Sequence, residues 1–246
     1  MDRMLYVAMA GAKQTLRAQG VAANNLANTG TTGFRADLES FMSVGVQGPG
    51  HGTRTYGVIR GHGVDTTPGA LERTDNPLDV AVSGSGWFVV QTEDGSEAYT
   101  RSGAFQVDPS GILRTAEGLP VLGQGGPIAV PPYEQILIAD DGTISVRPMG
   151  AGGAQLAQID RLRLVDPDPG GLVKGPDGLV RTADGLAQPP SASVKVASGM
   201  LEASNVNAVQ AMLRQLDLAR QFEVQMKIMT AARDNDDAAD RLLRNS

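Results

Sequence analysis

The sequence predicts an α+β protein. N- and C-terminal helices form a coiled-coil-like assembly domain, and a central antiparallel β barrel or sandwich lies between them in the chain. Two distributions carry this reading. All 14 Pro fall between Pro49 and Pro190, and neither Gly nor Pro follows Gly199. Pro costs ~3 kcal/mol inside a helix and Gly ~1, so the ends are free to be helical and the centre is not. The centre is instead punctuated by Asp94-Gly95, Asp108-Pro109-Ser110-Gly111, Glu117-Gly118, Asp141-Gly142, Asp177-Gly178 and Asp184-Gly185. These are turn signals, because Gly, and less easily Asn or Asp, accepts positive φ. The chain divides into residues 1–40 (helix and turn), 41–70 (connector), 71–197 (β domain) and 198–246 (helix).

In the first segment Leu5, Met9, Ala12, Leu16, Gln19, Ala23 and Leu26 recur at alternating steps of four and three, a heptad seam. Gly11 and Gly20 weaken it, and Asn28, Gly30 and Gly33 read as its stop. The cluster Asn24, Asn25, Asn28 admits two readings that can hold together. One is a helix end where Asn tolerates left-handed backbone. The other is an amide ladder between subunits, in which a buried Asn fixes register.

Residues 45–69 hold eight Gly, both His and little apolar periodicity, which predicts an extended connector. Beyond it, Leu78–Val82, Trp87–Thr92, Ile159–Val165 and Val194–Ala197 read as short strands separated by turns. Gly111–Gly118 and Gly178–Gly185 match in pattern, the same turn–strand–turn device used twice. The last helix takes Ser204 or Asn205 as its cap. Val206, Val209, Leu213, Leu216, Phe222, Met226 and Met229 follow at mostly helical spacing.

Neither helix is stable alone. Ordering backbone costs ~1–2 kcal/mol per residue, and a fully buried Leu or Met returns ~1.5–3. The five sizeable apolar side chains Leu5, Met9, Leu16, Val21 and Leu26 cannot offset that cost for a whole helix. Both ends must pack on each other, on copies of themselves, or on partners. The termini are therefore predicted to be the assembly elements.

Composition removes most other classes. The 246 residues carry a net charge of -6, which argues against binding nucleic acid through phosphate contacts. The absence of Cys removes disulfides, thiolate metal sites and cysteine catalysis. No apolar run approaches a membrane span, so membrane insertion is not expected, and Met1–Gln19 lacks the pattern of a secretory signal. His51 and His62 lie in the Gly-rich connector without matched carboxylate spacing and read as loop residues. There is no Gly-x-Ser-x-Gly elbow. Gly84-Ser85-Gly86 lacks a Walker lysine and reads as a strand-to-strand turn. Asp166-Pro167-Asp168-Pro169-Gly170 lacks the later ligands of a calcium loop. No cofactor is expected.

Several motifs together resemble a known family. Met1-Asp2-Arg3-Met4-Leu5-Tyr6-Val7-Ala8-Met9, Ala22-Ala23-Asn24-Asn25-Leu26-Ala27-Asn28-Thr29 and Gly33-Phe34-Arg35 resemble the N-terminus of flagellar basal-body rod proteins. Ser198-Gly199-Met200-Leu201-Glu202-Ala203-Ser204-Asn205-Val206-Asn207, continued by Arg220-Gln221-Phe222-Glu223 and Lys227, is similar to the family's C-terminal signature. Asn76–Val82, Gly86-Trp87-Phe88 and Tyr99-Thr100-Arg101-Ser102-Gly103 resemble the block shared by rod and hook proteins. The opening residues look most like the proximal-rod member. One departure is Thr32-Gly33 where the family commonly has Pro-Gly.

The resemblance implies a non-enzymatic axial subunit of the bacterial flagellum. Such subunits leave the cell through the flagellar type III export apparatus and polymerise with copies of themselves and other rod proteins in the periplasm. Assembly contacts are then expected at Leu5, Met9, Leu16, Asn24, Asn25, Leu26 and Asn28 on one helix. On the other they are expected at Val209, Leu213, Leu216, Phe222, Met226 and Met229. A distal-rod or hook-type subunit is the alternative within the family. A secreted β-domain cell-wall hydrolase or an export chaperone is the alternative outside it. The reading also predicts protease-sensitive ends around a resistant core near residues 70–195.

Overall fold

The computed structural model describes residues 2–45, 55–149 and 156–244. Helix α1 (Asp2–Ala27) opens the chain and helix α2 (Ala208–Arg244) closes it. The strands between them begin with β1 (Asp37–Gly45), β2 (Thr55–Val64), β3 (Leu71–Arg73), β4 (Val80–Ser83) and β5 (Trp87–Gln91). Next come β6 (Glu97–Thr100), β7 (Phe105–Val107), β8 (Leu113–Thr115), β9 (Tyr133–Ile138) and β10 (Thr143–Pro148). The last are β11 (Ala157–Arg161), β12 (Leu164–Val165), β13 (Leu172–Lys174), β14 (Val180–Thr182), β15 (Lys195–Ser198) and β16 (Met200–Glu202). The predicted α+β class, with helical ends and antiparallel strands between them, is what the chain adopts.

The described residues fall into two compact units. One is drawn from Met1–Ala27, Asp37–His62 and Asn207–Ser246, the other from Asn28–Ala36 and Gly63–Val206. The first unit is the helix pair with the two-stranded β1–β2 sheet. Strands β1 and β2 occupy part of the stretch where the sequence shows little apolar periodicity. His51 lies outside the described residues, and His62 falls within β2, its side chain outside the description.

The second unit is built of β-strands, with a 3-10 turn at Pro169–Gly171. A five-stranded sheet runs β12-β5-β6-β14-β13, a three-stranded one β11-β10-β9, and β15-β4, β16-β3 and β7-β8 form ribbons. Strand β5 shows how the sequence builds two cores at once. Its alternate residues Phe88 and Val90 enter one apolar cluster with Val80, Leu113 and Ile144. Trp87 and Val89 enter a second with Tyr99, Val165 and Val180. Successive side chains of a strand point to opposite faces, so a run buried on both sides reads as continuous hydrophobicity.

The near-repeat holds in three dimensions. Gly111 and Gly118 bound β8 at φ +82° and +86°, and Gly178 and Gly185 bound β14 at +78° and +69°. Gly118 donates to the Thr115 carbonyl as Gly185 donates to that of Thr182, at 2.9 and 3.0 Å. Arg114 pairs with Asp108 and Arg181 with Asp177 before the same strand. Gly84-Ser85-Gly86 is the strand-to-strand turn between β4 and β5, its two glycines at φ +87° and +114°.

Candidate assembly interface

Helix α1 packs along α2 through small side chains. Its buried positions are Ala8, Ala12, Thr15, Ala18 and Ala22. Gly11 belongs to the same face and lies against Gln225. Leu5, nearer the start of α1, shares a cavity of about 320 Å³ with Met229, Thr230 and Arg233, so the two helices run antiparallel. On α2 the covered or half-covered positions Ala211, Gln215, Leu218, Phe222, Gln225, Met229 and Ala232 alternate steps of four and three, flanked by half-covered Ala219 and Ile228. Small residues let two helix backbones approach closely, which suits antiparallel packing.

The intrachain seam is therefore not the seam that side-chain size suggests. Leu5, Met9 and Leu16 are exposed on α1, and Val209, Leu213, Leu216 and Met226 are exposed on α2. Tyr6, Met212 and Val224 add to this surface. Phe222 and Met229 are half-covered in the pair, as is Leu26, while Asn24 is exposed. Leu16 is 51% exposed and Met226 43%, so each retains much apolar surface after the helices have met. The close helix contact within the chain takes the small Ala side chains and leaves the longer Leu and Met outside it.

The asparagines divide. Asn25 holds the first residue of β1, its Nδ2 donating to the Asp37 carbonyl at 3.0 Å and its Oδ1 accepting the Asp37 amide at 2.9 Å. Asn28 accepts the Thr31 hydroxyl at 3.1 Å. The cap of α2 is Asn207, whose Oδ1 accepts the Gln210 amide at 3.1 Å, and not Ser204 or Asn205. Ser204 accepts the Val206 amide instead. Asn205 is used as a cross-link: its Oδ1 accepts the Ala36 amide at 2.8 Å and its Nδ2 donates to the carbonyls of Asp65 and Thr67.

The segment leaving α1 and the segment entering α2 meet in the β unit around a buried ion triad. Glu202, 1% exposed, accepts Arg35 Nη2 at 2.6 Å on Oε1 and Arg101 Nη1 at 3.1 Å on Oε2. Both arginines are 2% exposed. The Gly69 amide donates to Oε1 at 2.7 Å, and Arg101 Nη2 donates to the Gly84 carbonyl at 2.7 Å. Two cations against one carboxylate leave an excess positive charge, and the Trp87 ring lies against both guanidiniums, 5.9 Å from Arg35 and 5.4 Å from Arg101. Among the described residues Arg35 Nε, Arg35 Nη1 and Arg101 Nε find no hydrogen-bond acceptor. The π face supplies the attraction they otherwise lack. Burial pulls the Arg101 pKa below its usual value, Glu202 opposes that, and the like charge of Arg35 adds to it.

Glycines make this convergence possible. A Cβ on Gly33, at φ +68°, would stand 2.3 Å from the Arg101 carbonyl carbon. One on Gly69 would stand 2.0 Å from the Ala203 oxygen. Arg35, Trp87, Arg101 and Glu202 lie in separate sequence motifs, none of which by itself assigns them a role. The usable signal is a charged residue within three positions of a Gly in the motifs of Arg35, Arg101 and Glu202. Among the described residues no group of His, Asp and Glu is placed to hold a metal, and no helix is long and apolar enough to cross a membrane.

The chain matches three families in chain order. Residues 5–35 match the flagella basal body rod protein family, 81–146 the flagellar hook protein FlgE/F/G D1 domain, and 197–242 the flagellar basal body rod FlgEFG protein C-terminal family. It is 45% identical over 255 residues to the flagellar basal-body rod protein FlgF of Escherichia coli K12, covering 100% of both chains. It is 45% identical over 252 residues to FlgF of Salmonella typhimurium LT2, again covering 100% of both. With FlgF of Caulobacter vibrioides it shares 33% identity over 240 residues, 93% of each chain.

Proposed function

Because the chain belongs to the flagellar basal-body rod protein family, as an FlgF-type protein of the proximal rod, we propose that it polymerises with copies of itself and other rod proteins into the axial shaft that transmits motor torque. It is a structural protein and not an enzyme. The observation that supports polymerisation is the apolar surface left on a helix pair whose own contact is already made. Leu5, Met9, Leu16, Val209, Leu213, Leu216 and Met226 face solvent in the lone chain. Covering the exposed half of one such side chain returns roughly 1 kcal/mol, and a stripe of them suffices to hold helices of neighbouring subunits. Phe222, Met229 and Leu26, half-covered within the chain, complete their burial in the same contacts. Asn24 and Asn28 lie toward the end of the α1 contact and help fix its register.

The subunit reaches the periplasmic rod through the flagellar type III export apparatus. A chain without Cys has no disulfide to form or misform on entering an oxidising compartment.

The experiment is replacement of Leu16 by Asp, and separately of Met226 by Asp, in cells whose own copy is deleted. Each site is exposed in the single chain, so the purified variants should keep their helical circular dichroism. Basal bodies should lack the subunit and the cells should not swim. Normal swimming with normal basal bodies would remove the proposal.

A further inference from the structure

We infer that the leg Asn28–Ala36 docks onto the β unit only after the segment 199–206 is seated, so that the unit's earliest residues in the chain are its last to be fixed. Four hydrogen bonds tie the leg to that later segment. Gly33 donates to the Glu202 carbonyl at 2.6 Å, and Asn205 donates to the Phe34 carbonyl at 3.3 Å. Ala36 donates to Asn205 Oδ1, and Arg35 finds its carboxylate in Glu202. The leg also meets the rest of the unit through Lys174 Nζ on the Arg35 carbonyl at 2.9 Å and over the Phe34 ring, Asp65 donating to the Ala36 carbonyl, Arg35 against the Trp87 ring, and Gly33 against the Arg101 backbone.

The later segment does not depend on the leg in the same way. Strand β15 is laddered to β4 through Lys195↔Ser83, Val196↔Val82, Ala197↔Ala81 and Ser198↔Val80. Strand β16 is laddered to β3 through Met200↔Arg73, Leu201↔Glu72 and Glu202↔Leu71. Gly199 and Met200 also donate to the Asp79 carbonyl. Charge sharpens the asymmetry. Without Glu202 in place, docking Arg35 would bury a second guanidinium beside Arg101 with no counter-ion, and burial of an unpaired charge is strongly opposed. With Glu202 seated, Arg101 already has its partner and Arg35 enters a site that holds a carboxylate. Coupling is reciprocal in free energy, but the later segment keeps the β16 ladder and is anchored by the β15 ladder immediately before it, whereas the leg keeps no ladder.

Amide hydrogen exchange on the full-length protein tests this with three variants. Glu202→Gln and Asn205→Ala should each speed exchange at Gly33 and Ala36 by about tenfold or more, while the amides of β5 change by less than about threefold. Gly33→Val, whose side chain collides with the Arg101 backbone, should expose Ala36 while β15 and β16 keep their protection. If Glu202→Gln unfolds the whole unit, Asn205→Ala, which removes no charge, decides alone. Protection at Gly33 and Ala36 that survives Asn205→Ala would overturn the inference. So would a Gly33→Val protein in which β15 and β16 open as far as the leg.

Discussion

Gly11 of α1 faces Gln225 of α2 so closely that a Cβ on the glycine would stand 3.0 Å from the Gln225 carboxamide carbon. The contact involves the far end of a flexible side chain and no backbone, so it can yield. Ala18, 3% exposed, lies on the same small-residue face.

Two substitutions should therefore behave oppositely. Gly11→Ala should leave the pair intact and raise its stability by up to ~1 kcal/mol, because Gly is the poorer helix former and Gln225 can turn aside. Ala18→Leu should cost ~1–3 kcal/mol by overpacking the contact. Thermal unfolding followed by helical circular dichroism separates them. A loss in Gly11→Ala would show that Gln225 cannot turn aside, and an unharmed Ala18→Leu would show that the small-residue face does not set the helix spacing.

Trp87 is the only tryptophan, and its ring lies against Arg35 and Arg101. Trp87→Ala should destabilise the β unit by ~3–5 kcal/mol, from lost burial and from two guanidiniums without their π face. Trp87→Phe keeps an aromatic face and should lose markedly less than Trp87→Leu. Urea unfolding of the three variants gives the order. A leucine as good as phenylalanine would show that the ring matters only for its bulk.

Asp94 offers a pH test with a definite sign. The Thr92 hydroxyl, then the amide and hydroxyl of Ser96, stabilise its carboxylate and lower its pKa from 3.8 to about 2. A folded value below the unfolded one means the carboxylate stabilises the turn fully above pH 3.8. That contribution shrinks as pH falls and is gone below about 2. Thr92→Val removes the largest cause, so the Asp94 carboxyl should titrate closer to 3.8 in an NMR series. Asp108 shifts in the same direction, held by the Ser110 hydroxyl and by Arg114. A midpoint unmoved by Thr92→Val would refute the attribution.

Much of the architecture was legible because it rests on local rules. Gly and Pro confined to the middle leave only the ends able to form long helices, and Asp-Gly pairs mark turns wherever they occur. The twin segments Gly111–Gly118 and Gly178–Gly185 were readable because each turn needs Gly at positive φ, a property of the residue itself. The cap of α2 lies two or three residues beyond the predicted Asn205 or Ser204, because Ser204, Asn205 and Asn207 are all competent caps. Only the cross-link that takes up Asn205 removes it from the competition.

Residue order alone established helical ends that need company, a centre built from short strands, and the motifs of a rod protein. These follow from backbone propensity and from spacing along the chain. Tertiary structure decided which helix face turns inward, choosing Ala8, Ala12, Ala18 and Ala22 over Leu5, Met9 and Leu16. It also drew Arg35, Arg101 and Glu202 to one buried point. Both outcomes depend on distance between residues far apart in the chain. How closely two backbones approach, and which charge reaches which counter-ion, has no periodicity to betray it.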